Sequence, residues 1–178
     1  MSKLKLDNFM IFNQLDVELS PNINIICGEN NIGKTALIKL LYSCMKGYVN
    51  ASISKGDCSK DKIESMLVSK LQGVFRPDKD IVGRLVNRRQ GSSRTGINIY
   101  FEDDSVLQIG FSNRHEKHIE ILNDNMLNLG EMSPVYIPPK EIISATENFG
   151  SLYADYHIAF EETYYDLSRL LVHHCINS

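Results

Sequence analysis

Residues 23–35 read Ile-Asn-Ile-Ile-Cys-Gly-Glu-Asn-Asn-Ile-Gly-Lys-Thr, and the fold follows from how that stretch is parsed. Gly28-Glu29-Asn30-Asn31-Ile32-Gly33-Lys34-Thr35 fits GxxxxGK(S/T), a loop that wraps polyphosphate. Its context is the one the chemistry needs. Ile23 to Cys27 is a short β-branched run of the kind buried in a sheet, and a segment with helical spacing follows. A glycine turn between them aims successive backbone N–H groups inward, and the helix adds its positive end. Lys34 is then placed for the β- and γ-phosphates and the Thr35 hydroxyl for Mg²⁺.

Working outward, Ala36, Leu37, Leu40, Leu41, Cys44 and Met45 recur every three or four residues, which predicts a helix from Gly33 to about Lys46 with Gly47 as its stop. Upstream, Leu4, Leu6, Phe9 and Phe12, then Leu15, Val17 and Leu19, alternate with polar residues. They predict two strands turning near Asn13 and Gln14 and ending at Ser20-Pro21-Asn22. Downstream, a second helix is expected from about Ser59 to Leu71, with Pro77 limiting it. Ile97–Phe101, Val106–Phe111 and Ile119–Leu122 read as consecutive strands of an antiparallel meander. Val135–Ile137 is a further strand closed by Pro138-Pro139, and helical patterns follow around Glu141–Tyr153 and Phe160–Ile176. The sum is an α/β chain with a mixed sheet, divided into a nucleotide-binding lobe over 1–139 and a helical segment over 140–178.

Composition narrows the field further. At 178 residues the chain predicts one domain, or one plus an appendage. A net charge of −3 excludes a polycation that coats nucleic acid, so any such contact must come from a local patch. No apolar run approaches the ~18 residues needed to span a bilayer, and Met1 to Met10 lacks a signal-peptide core, which points to the cytoplasm. Cys27, Cys44, Cys58 and Cys175 lack the spacing of a disulfide framework.

The opening LKLDNFMIFNQLDVELSPNINIICGENNIGKT resembles the start of ABC-type ATPase heads of the SMC, RecF and OLD kind, where a short meander precedes GxNxxGK(S/T). Asn30 holds the Asn of that narrower motif. FRPDKDIVGRLVNRRQG, VYIPPKEIIS and FEETYYDLSRLL are similar to a bacterial group of AAA-family ATPases, some of which serve in phage defence. The resemblance implies a P-loop NTPase of the ABC type, represented by its N-terminal lobe, with ATP and Mg²⁺ as ligands. It also implies hydrolysis only after two heads sandwich the nucleotide, as a homodimer or with a missing ATPase half, and DNA or a nuclease as partners. The LSGGQ-like signature, Walker B Asp-Glu and switch His of such heads do not follow Ser144, so the isolated chain is expected to turn over ATP weakly or not at all. The basic residue common in the first meander is also missing from Asn8-Phe9-Met10-Ile11-Phe12.

Catalytic groups are harder to locate. Glu102 and Asp103 follow an apolar strand as Walker B carboxylates do, but EDDS before Val106 reads better as an acidic hairpin turn. Glu141 lies roughly where the resemblance places the loop linking the nucleotide to the helical region. Arg84, Arg88, Arg89 and Arg94 form a basic cluster that suits DNA phosphates, an acidic partner surface or simple solvation. His157, His173, His174 and Cys175 lack metal-ligand spacing. Phe160, Tyr164, Leu167, Leu170 and Leu171 form a helical stripe for core or partner packing. Two other functions compete: a small P-loop kinase using the arginines as a lid, and a nonenzymatic module in which nucleotide serves assembly. A GTPase reading has only Asp80-Ile81-Val82-Gly83 and no NKxD.

Overall fold

Alternation builds the first layer. In β1 (Lys3–Phe9), Leu4, Leu6 and Phe9 are buried, while Lys3, Lys5 and Asp7 point to the other face. The computed structural model describes residues 1–53, 59–87, 91–115, 117–123, 132–139, 153 and 161–176. With β2 (Phe12–Glu18), β3 (Arg94–Tyr100), β4 (Val106–Ser112) and β5 (Glu120–Ile121), β1 forms an antiparallel sheet ordered β2-β1-β3-β4-β5. Leu4 faces Ile99 and Leu6 faces Ile97, while Ile97 and Ile99 face Ile109 and Leu107. One side of the sheet is therefore continuously apolar. The other is polar, with Lys3 Nζ 2.8 Å and Lys5 Nζ 3.4 Å from the Asp16 carboxylate.

The β1–β2 turn falls at Met10 and Ile11, not at Asn13 and Gln14. Asn8 and Met10 take left-handed φ of 52° and 47°, and Phe9 pairs with Phe12. The cause is tertiary: Leu85 to Asn87 crosses the end of β1, with Met10 N–H donating to Leu85 O at 2.7 Å and Asn87 N–H to Asn8 O at 2.8 Å. A strand extended past that crossing would lose both bonds.

Two helices, α1 (Lys34–Ile53) and α2 (Lys60–Phe75), cover the apolar face through residues such as Leu37, Leu40, Ile63, Leu67 and Leu71. Gly47 does not stop α1. A Cβ there would lie 3.0 Å from Leu67 Cδ2 and 3.1 Å from Leu67 Cα, so Gly47 is the point where the two helices cross closely. Pro77 does limit α2, which ends through Arg76 in the left-handed region with its N–H on Gln72 O at 2.8 Å. Short 3₁₀ turns at Asp78–Asp80 and Val82–Leu85 lead toward β3, and α3 (Glu162–Ile176) packs against α2. The helix expected over Glu141–Tyr153 lies outside the described residues except for Tyr153, whose ring stacks 5.0 Å from that of Tyr165. No helix among the described residues is long and apolar enough to cross a membrane.

The expectation for residues 23–27 needs correction. They are not in the sheet and not buried: Ile23 is 78% and Ile25 81% exposed, and the segment has no backbone hydrogen-bond partner among the described residues. Asn24 fixes where it starts, accepting from Ser20 N–H and donating to Ser20 O, both at 2.8 Å. The physical reason is that the sheet ends at β2, so no strand among the described residues lies beside them. Residues 132–138 behave similarly. Tyr136 is buried against Tyr42 and Val74, but Val135 and Ile137 are exposed and no strand forms.

Candidate nucleotide site

The phosphate loop is built by sterics at its two glycines. Gly28 has φ of 149° and Gly33 of 90°. A Cβ on Gly28 would come within 2.3 Å of Ile32 Cδ1, and one on Gly33 within 2.7 Å of Ile11 Cδ1 and 2.8 Å of Phe12 Cζ. Asn31 takes a left-handed φ of 69° between them. Ile11 and Phe12 thus support the loop from the β1–β2 turn. Sequence reasoning assigned them no such role, because the contact joins residues more than twenty positions apart and has no local pattern.

At the end of the loop α1 opens with Lys34, and its first bond back into the loop runs from Leu37 N–H to Gly33 O at 2.9 Å. The N–H groups of Lys34, Thr35 and Ala36 precede that bond and point out of the helix start. The first turn carries no acidic residue that would compete with an anion there. Lys34 Nζ folds back to donate to Gly28 O at 2.8 Å and to Glu29 O, so its ammonium lies over the loop itself. Thr35 is exposed at the same edge. An ammonium, free helix-end N–H groups and an exposed hydroxyl form a donor set that fits a polyphosphate with its divalent cation.

The remaining candidates lie elsewhere. Glu102 and Asp103 form a hairpin turn in which Phe101 N–H donates to Ser105 O at 3.0 Å and Asp103 Oδ1 accepts from the Ser105 hydroxyl at 2.5 Å. The Ser105 hydroxyl and N–H, both donating to Asp103 Oδ1, hold the Asp103 carboxyl below its usual pKa. Glu102 lies 3.7 Å from the amino group of Met1, at the opposite end of β1 from the turn that touches Gly33. At ~3.3 Å per residue, the length of β1 separates them from the loop by roughly 20 Å. Arg94 pairs with Glu120 across the sheet, spread over Gly110, where a Cβ would meet Nη2 at 2.7 Å. Arg84 is exposed in the second 3₁₀ turn. Arg88, Arg89, Glu141, Phe160 and His157 lie outside the described residues, as do the side chains of His173, His174 and Cys175. Asn87, just before the arginine pair, bonds the Asn13 side chain at 3.1 Å, beside the turn that supports Gly33.

Comparison with known proteins agrees with this geometry. Residues 3–160 match the AAA domain family. The chain is 27% identical over 148 residues to the DNA repair protein RecN of Haemophilus influenzae, covering 72% of this chain and 26% of that protein. It is 30% identical over 108 residues to structural maintenance of chromosomes protein 6 of Dictyostelium discoideum, covering 56% of this chain and 9% of that one. Against the DNA replication and repair protein RecF of Chlamydia abortus it is 56% identical over 39 residues, 22% of this chain and 11% of the other. The chain therefore spans about a quarter or less of the length of these relatives. A phosphate loop supported by an antiparallel meander, together with these matches, shows that the chain belongs to the AAA domain family, with the N-terminal lobe of an ABC-type ATPase of the SMC and RecF kind.

Proposed function

We propose that this chain binds Mg·ATP and hydrolyses it only when a second lobe and a second head close over the nucleotide. One observation carries the reading: a fully shaped phosphate loop is fed by a segment, Ile23 to Cys27, that no strand among the described residues covers. In this assignment the N–H groups along Gly28-Glu29-Asn30-Asn31-Ile32-Gly33 and at the start of α1 hold the phosphates. Lys34 leaves the Gly28 and Glu29 carbonyls for the β- and γ-phosphates, and Thr35 Oγ1 holds Mg²⁺. When bound, the cation supplies neutralisation of the phosphate charge.

Hydrolysis also needs carboxylates that hold the metal through water and orient the attacking water. Glu102 and Asp103 lie at the far end of β1 from the loop, so we assign those groups to the second lobe, with Glu141 the remaining candidate in this chain. The relatives are named for DNA repair, replication and chromosome maintenance, which supports DNA as the partner of the assembled heads in the cytoplasm. Arg84, Arg88 and Arg89 are its candidate phosphate contacts, whereas the Arg94 charge is already taken by Glu120. A nuclease partner and a role in phage defence rest on the resemblance of residues 75–91, 135–144 and 160–171.

Calorimetry with Mg·ATP beside a steady-state hydrolysis assay tests this. The expected result is binding with negligible turnover, and a loss of at least ~10-fold in affinity, about 1.4 kcal/mol, for Lys34→Ala. Unchanged binding by Lys34→Ala would remove the loop as the nucleotide site. Robust turnover, or transfer to a small acceptor, would mean the site is complete in this chain and would favour a phosphotransferase.

A further inference from the structure

The contact of α3 with the body of the protein is centred on charge. Lys70 of α2, 4% exposed, places Nζ 2.6 Å from Glu162 Oε1 and 3.0 Å from Asp166 Oδ2, both on α3. The same Asp166 carboxylate accepts the hydroxyl of Tyr42, on α1. Immediately before α3, Glu161 accepts from Lys39 Nζ, again on α1. The Glu162 carboxylate lies directly over Gly73, where a Cβ would be 1.7 Å from Oε2. Beside this cluster the Thr163 hydroxyl is buried with no hydrogen-bond partner among the described residues, while Leu171 of the apolar stripe is 48% exposed. Tyr164 is buried, but Leu167 and Leu170 are only half-buried.

We infer that α3 is a releasable strap, latched to the body by the Lys70, Glu162, Asp166 and Tyr42 cluster, and that its docking braces the phosphate-loop helix α1. A polar interface suits release. Its ions exchange protein partners for water, so docking is a small difference between large terms, unlike an interface of buried leucines. Position supplies the brace. Lys39 and Tyr42 stand five and eight residues after Lys34, so their partners, Glu161 immediately before α3 and Asp166 on it, hold the early turns of the helix that presents Lys34 and Thr35. The bracing half of the inference rests on the ATP-binding reading given above. The latch does not.

Hydrogen–deuterium exchange of residues 162–171 in the whole chain, with and without Mg·ATP, tests both halves. Lys70→Met and Gly73→Ala should each raise exchange there by at least ~10-fold while β3 and β4 stay protected. Gly73→Ala is the discriminating variant. It leaves every charge in place and favours α2 as a helix, so it releases α3 only if Glu162 must occupy the space over Gly73. Unchanged exchange in both variants would overturn the latch. Increased exchange with unaltered ATP affinity would overturn the brace, whereas a ~5-fold weaker Kd supports it. Without nucleotide, Lys34→Ala should leave α3 exchange unchanged, and with Mg·ATP it should lose the protection of α3 that the brace implies; if the unmodified chain binds no ATP, the ATP reading and the brace fail together while the exchange data still judge the latch.

Discussion

Cys27 lies at the surface directly before Gly28, whereas Cys44 is enclosed in α1, where burial pushes its thiol up to about 12. At pH 8 a thiol with that pKa is ionised in roughly one molecule in 10⁴, and only the thiolate attacks. Iodoacetamide followed by mass mapping should therefore modify Cys27 at least ~100-fold faster than Cys44. Mg·ATP should slow the Cys27 reaction, and equal rates would contradict the enclosed position of Cys44. Gly83 is a second residue whose part is purely steric. A Cβ there would meet three backbone oxygens, those of His115 at 2.7 Å and of Asn113 and Ser112 at 2.9 Å, none of which moves without its chain. Gly83→Ala should cost on the order of 1–3 kcal/mol in a denaturant melt. The short match of Asp80 to Gly83 with a GTPase motif thus has a packing explanation.

Among the elements, α3 carries the clearest dependence on pH. Burial opposes the charge on Lys70, but the Asp166 and Glu162 carboxylates outweigh it and hold the lysine above its ordinary pKa of ~10.4. A cation with a raised folded pKa contributes stability that is full below the unfolded value and lost as pH climbs through the folded one. Burial pushes Glu162 up against the pull of Lys70, so its own contribution falls as pH rises through its raised value. Tyr42 and Tyr153, also beside the cluster, are raised, so neither competes as an anion at neutral pH. Thermal melts followed by circular dichroism should show Tm nearly level from pH 7 to 10 and falling above that. Lys70→Met should lessen the fall, leaving the share that the raised Tyr42 and Tyr153 contribute in the same window, and an undiminished fall in that variant would place the titration elsewhere.

For the whole molecule, the exposed isoleucines of residues 23–27 set the behaviour of the isolated chain. An extended β-branched segment whose backbone groups have no partner among the described residues is a template for self-association. Ile25→Asp, at a position 81% exposed, should leave the melting free energy within ~0.5 kcal/mol. It should also raise the monomer fraction seen by light scattering. Ile97→Asp, in the centre of the sheet and fully buried, should unfold the protein. If Ile25→Asp destabilised as Ile97→Asp does, residues 23–27 would belong to the core after all.

The phosphate loop was readable from residues 28–35 alone because its chemistry is local: glycines for the turn, a lysine and a hydroxyl at a helix start. The strands were readable because burial of one sheet face leaves a period of two in the sequence. A pattern records what a segment needs, not whether the need is met, so Ile23 to Cys27 reads as buried and stands exposed. Gly47 reads as a stop because glycine weakens helices in isolation, yet α1 continues through it because Leu67 of α2 occupies the space a side chain would take. The turn at Met10, the support of Gly33 by Ile11 and Phe12, and the latch at Lys70 join residues far apart in the chain. The sequence by itself determined the local chemistry of the loop and the periodicity of its surroundings. Tertiary structure decided which helix crosses which, which charges meet and which apolar residues find cover, because those depend on distances between segments that periodicity does not encode.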